Sequence, residues 1–103
     1  MTAAANPLRG EAQLDLGGDS LRLRPSFTAL VAAEAELGPL FALCERAAAG
    51  QLTLAEMAAL FWHCLSPPVA MTRDEFAEAL VAGGIAHAAP ALRILLGQIL
   101  AGR

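Results

Sequence analysis

Glu11-Ala12-Gln13-Leu14-Asp15-Leu16-Gly17-Gly18-Asp19-Ser20-Leu21-Arg22-Leu23-Arg24 is the stretch on which the reading of this chain turns. Ala12, Leu14, Leu16, Leu21 and Leu23 alternate with Gln13, Asp15, Ser20, Arg22 and Arg24. A period of two on either side of glycines marks two half-buried strands joined by a tight turn. A two-residue Gly18-Asp19 loop sets Leu16 opposite Leu21 and Leu14 opposite Leu23 on one face, with Asp15 opposite Arg22 and Gln13 opposite Arg24 on the other. A Gly17-Gly18 loop keeps the same faces but pairs Leu16 with Asp19 and forgoes the Asp15 to Arg22 contact, so the first register is preferred.

An isolated hairpin is marginal in water, so helices must cover its leucine face or another chain must join its edge. Both strands read as edges, and Asp15, Arg22 and Arg24 discourage pairing with other molecules only in part. The preferred reading is a hairpin that caps its own helical core. The alternative makes Arg22 and Arg24 part of a partner-binding edge.

The remainder of the chain reads as helical. Residues 1–10, with Asn6, Pro7 and Gly10, are expected to form a flexible arm, and 103 residues suffice for a single domain over 11–103, with the hairpin at 11–24 and helices over 26–102. Pro25 ends the second strand and Ser26 caps a first helix that runs to about Leu37, with Phe27, Leu30, Val31 and Leu37 on one side and Gly38 past its end. A second helix starts near Pro39, turns Leu40, Leu43, Cys44 and Ala47 inward, and stops at Gly50. Thr53 with Glu56, and Thr72 with Glu75, have capping-box spacing for two more. The third helix should bury Leu54, Met57, Ala58, Phe61 and Leu65 and end at Ser66-Pro67-Pro68; the fourth should bury Phe76, Leu80 and Val81 and close at Gly83-Gly84. A fifth begins around Pro90 and reaches Leu100. The fold class is therefore α+β, mostly α: an N-terminal two-stranded antiparallel hairpin followed by a bundle of about five short helices.

Helix five is apolar nearly all round. Leu92, Leu95, Leu96 and Ile99 define one face, and Ile94 and Leu100 extend it. The preferred reading is a central helix buried by the other four; the alternative gives its second face to a partner or another subunit. Leu60 and Trp62 lie off the expected stripe of helix three and would add to such a surface. Glu34 shares a row with apolar residues, so it is expected to pair with Arg24 or Arg46 at the margin, or else to serve as a recognition charge. The candidate partner-binding residues are thus Arg22, Arg24, Glu34, Trp62, Leu92, Ile94, Leu96 and Leu100.

Composition and spacing exclude several functions. The seven cationic residues are all arginine and the formal net charge is −3, which disfavours nucleic-acid binding. No apolar run reaches the ~20 residues that span a bilayer, and the start lacks a basic-then-apolar secretion signal, so a cytoplasmic location is expected. Cys44 and Cys64 sit in apolar helical patterns and read as reduced core residues. His63, His87 and the cysteines lack paired ligand spacing, so no metal is expected. Asp74-Glu75-Phe76 is not followed by a calcium loop, and Gly17-Gly18 precedes a strand instead of a phosphate-binding helix N-terminus. Neither a nucleophile elbow nor a tyrosine is present, so no catalytic residue and no cofactor are assigned.

Asn6-Pro7-Leu8-Arg9-Gly10-Glu11, the strand Ala12 to Leu16, the strand Leu21-Arg22-Leu23-Arg24 and the helix ending Glu34-Ala35-Glu36-Leu37-Gly38 together resemble the opening of the gene transfer agent and prophage tail protein family. The resemblance covers residues 6–38; beyond it, only the helical layout and Gly50-Gln51-Leu52-Thr53 follow the family. It implies a non-enzymatic tail protein of a bacterial host, described in the family both as a tail assembly chaperone and as a tail tube protein. A tube ring closes strands from every subunit into a barrel and needs many strands per chain, whereas this chain offers two. The expected role is therefore a chaperone that binds the tape-measure protein or other tail components, with homo-oligomers possible and no nucleic-acid or membrane partner. A tube-associated protein, found in virion-like particles, and a host helical adaptor are the alternatives.

Overall fold

The computed structural model describes residues 11–101, so the expected arm at 1–10 lies outside the described residues. Strands β1 (Ala12–Leu16) and β2 (Asp19–Leu23) form the antiparallel hairpin. Five helices follow: α1 (Phe27–Leu37), α2 (Leu40–Ala48), α3 (Leu54–Cys64), α4 (Arg73–Ala82) and α5 (Ala89–Ala101), the last entered through a 3₁₀ turn at Ile85–Ala88.

The hairpin adopts the register that charge pairing disfavoured. Leu16 faces Asp19, Asp15 faces Ser20, Leu14 faces Leu21, Gln13 faces Arg22 and Ala12 faces Leu23. Backbone geometry decides this. Gly17 and Gly18 have φ of +56° and +88°, and every described residue with positive φ is a glycine. A Gly18-Asp19 loop with the same type I′ geometry would require Asp19 to take a left-handed conformation at a cost of about 1–2 kcal/mol, more than one exposed ion pair returns. Asp15 is compensated locally by hydrogen bonds from Gln13 and Ser20, which hold its carboxyl below the usual range. Because the two registers differ by two residues, the buried face survives: Ala12, Leu14, Leu16 and Leu23 are all buried.

Among the described residues, only β1 has no backbone partner along its outer side. The Arg24 N–H donates to the Cys64 carbonyl at 2.7 Å, the Ser66 N–H donates to the Arg22 carbonyl at 3.0 Å, and Leu23 bridges Leu65. The chain leaving α3 thus seals the outer side of β2. The prolines that follow have no N–H with which to continue the ladder.

The helix ends follow their local chemistry. Ser26 Oγ accepts from the Ala29 N–H at the start of α1, and both threonine–glutamate capping boxes are closed. Pro39 occupies the cap position just before α2 and not its first turn.

Packing departs from the expected faces in four helices. In α1 the buried residue is Ala33, flanked by Ala29, Leu30 and Leu37, while Phe27 is 84 % exposed and Val31 also points outward. A small alanine at the contact lets α1 lie close against α3, which a phenylalanine would hold off. Leu54 and Val81, expected inside, are substantially exposed. Leu60, expected outside, is wholly buried together with Met57, Ala59, Phe61 and Cys64. The central helix is α3, packed between α1 and α4. Only Ala91 and Leu95 of α5 are fully buried, so the expected interior position of that helix is overturned. It lies against β1 and α2 with Ile94 and Leu100 in solvent. No single helix within 11–101 is long and apolar enough to cross a membrane.

Candidate functional site

Polar chemistry in this fold is spent on joining helices. Glu36 of α1 accepts from His63 Nε2 of α3 at 2.9 Å and from the Arg73 guanidinium of α4, so one carboxylate links three elements. The Arg73 guanidinium first, then the His63 bond, pulls the Glu36 carboxyl down to about 2. Arg46 of α2 reaches Glu56, the capping glutamate of α3, at 2.6 Å. Among the described residues, no group of three or more His, Cys, Asp or Glu is arranged to hold a metal ion. Burial pushes the Cys64 thiol up to about 12 and raises that of Cys44, which keeps both protonated and unreactive.

Three of the candidate partner residues have intramolecular roles. Arg22 Nε donates to the Ser66 carbonyl at 3.0 Å, and Arg24 lies 3.9 Å from the buried Glu11. Both arginines therefore anchor the hairpin to its surroundings. Glu34 pairs with neither Arg24 nor Arg46, which face Glu11 and Glu56; its Oε2 accepts from the Leu40 N–H at 3.1 Å and satisfies a free amide at the start of α2. Trp62 is half-buried, its ring 5.7 Å from that of Phe76 and tilted by 52°.

The remaining candidates divide by side of α5. Leu92, Leu96 and Leu100 line an open trough of about 480 Å³ against Cys44, Ala47 and Ala48 of α2. A second hollow, between Leu54, Met57 and Ile85, shares Leu52 and Leu92 with it. Ile94 is not in the trough; it sits well round the helix and is 40 % exposed. Arg93 lines the trough, and no ion pair engages it among the described residues. The outward Phe27 and Val31 were read from the sequence as sharing one side of α1 with Leu30 and Leu37, and the outward Phe41 was not singled out. The position of Phe27 directly after the Ser26 cap, at the very first helical residue, was the available signal, because that turn has no preceding turn to pack on.

The candidate site is thus a set of exposed apolar surfaces rimmed by few charges. No curated protein and no solved structure matches the chain significantly. A family model described as phage tail tube protein, GTA-gp10, matches residues 9–102, well beyond the opening segment whose motifs carry the resemblance. With the hairpin and all five helices inside that match, the chain belongs to the GTA-gp10 phage tail tube protein family.

Proposed function

We propose that this tail-family protein works by binding during assembly, as a chaperone that shields apolar segments of another tail component, the tape-measure protein foremost. It acts in the cytoplasm of the producing bacterium and leaves before the particle is complete. The observation that carries this reading is the sealed side of β2. A wall built of strands from successive subunits requires two free edges per subunit, and here the chain's own Cys64–Ser66 segment occupies one of them. Two β1 edges can meet only each other, which ends growth at a pair. The trough on α5 and the outward apolar residues of α1 instead suit contacts made through helices.

The family's own description favours a second reading, a resident of the tail tube. Pull-down of the tagged protein from producing cells, with quantitative mass spectrometry of purified particles, separates the two. Tape-measure segments in the pull-down and absence of the chain from finished particles are expected. Recovery of the chain from particles at ring stoichiometry would overturn the chaperone role in favour of the tube.

A further inference from the structure

The trough beside α5 and the outer face of α1 fit one another. We infer that the α1 face of one copy docks in the α2/α5 trough of a second copy, antiparallel to its α5. The inference does not depend on the chaperone reading, since either tail role accommodates it.

Spacing gives the first support. Phe27, Val31 and Glu34 follow one another at i, i+4 and i+7, so they share a face of α1, and all three are exposed. Arg93 and Leu100 line the trough seven residues apart, with Leu96 between them. At a rise of about 1.5 Å per residue each row spans ~10.5 Å. Laid antiparallel, Phe27 falls over Leu100 and Leu96, and Glu34 falls beside Arg93.

Charge gives the second. Among the described arginines, Arg24, Arg46 and Arg73 have carboxylate partners and Arg22 has a carbonyl, which leaves Arg93 in the trough to meet a carboxylate from outside. Glu34 ends the apolar row at the position that would meet it. The small Ala47 and Ala48 on the opposite wall leave room for the Phe27 ring. Since α1 packs on α3 and α2, and α5 on β1 and α2, the two surfaces belong to different elements. The contact is heterologous, with each copy offering a ridge and a trough.

Sedimentation of the purified chain over a concentration series, with circular-dichroism melting to verify folding, tests this. Wild type is expected to associate. Phe27→Glu, which places an acid in the first turn of α1 where the helix tolerates it, and Ala48→Glu, which puts a carboxylate into the trough from an exposed position, should each sediment as monomers. Mixed one to one, the first supplies an intact trough and the second an intact α1 face, so together they should form a dimer and nothing larger. Glu34→Gln keeps an acceptor for the Leu40 N–H yet should weaken association several-fold, as should Arg93→Glu. A wild type that stays monomeric at every concentration would overturn the proposal and return the trough to a helix of another protein. Folded Phe27→Glu that associates like wild type, or a mixture that stays monomeric, would overturn it equally.

Discussion

Glu36 shows how a single exposed residue can organise this small fold. Its carboxylate meets His63 and Arg73, and its folded-state value near 2 lies below the 4.5 of an unperturbed glutamate. A depressed carboxylate contributes stability that is fully present above about pH 4.5 and is lost as pH falls toward 2. Because the cluster is exposed, solvent and salt screen it, and Glu36→Gln should cost about 0.2–1 kcal/mol at neutral pH. Urea midpoints of wild type and variant, measured from pH 7 downward, should converge by about pH 2; a gap that persists undiminished there would assign the effect to packing. The glycines make a second test with opposite signs. Gly17→Ala or Gly18→Ala forces a side chain into left-handed backbone and should cost about 1–2 kcal/mol. Gly97 lies inside α5, with open space where a Cβ would go, so Gly97→Ala should stabilise by about 0.5–1 kcal/mol. Thermal melting reads both.

The elements differ in how legible they were. Capping residues act on amides two or three positions away, so Ser26, Thr53 and Thr72 announced their helices without knowledge of the fold. The hairpin was equally plain, but its register was not, since cross-strand charge and turn geometry pointed to different loops and only the backbone cost could rank them. Helix faces were least legible. The α1 sequence FTALVAAEAEL is apolar around most of its circumference, so periodicity could not choose between Ala33 and Phe27 as the inward side. The trough was invisible for a different reason: its walls come from α2 and α5, more than forty residues apart. Exchange of roles between α3 and α5 yields a direct test. Leu60→Ala, at a position with 0 % exposure, should cost about 2–5 kcal/mol, whereas Ile94→Ala should change stability by no more than about 0.5 kcal/mol. Chemical denaturation should show the contrast. Equal losses would restore α5 to the centre of the bundle.

At the scale of the whole molecule, what matters is how many ways one copy can be joined to another. Alternation along β1 turns the backbone groups of Ala12, Leu14 and Leu16 toward β2 and those of Gln13 and Asp15 to the other side. On the outer side of β2 the Arg22 carbonyl accepts from the Ser66 N–H, and just past the strand the Arg24 N–H donates to the Cys64 carbonyl. Hydrogen exchange on the isolated protein should therefore find the Arg24 and Ser66 amides slow and the Gln13 and Asp15 amides fast, although all four border the same two-stranded sheet. The same amides discriminate between the tail roles. Docking through helices leaves the strand edges as they are, so Gln13 and Asp15 should still exchange quickly in a complex with a tail component. A wall of continuous strands would protect them, and it would have to strip Cys64–Ser66 from β2 to free a second edge, exposing Arg24 and Ser66 at the moment β1 becomes covered. Protection of Gln13 and Asp15 accompanied by release of Ser66 in assembled material would therefore replace the chaperone role with a strand-built tube; fast exchange at β1 with Ser66 still protected would leave helices as the means of contact.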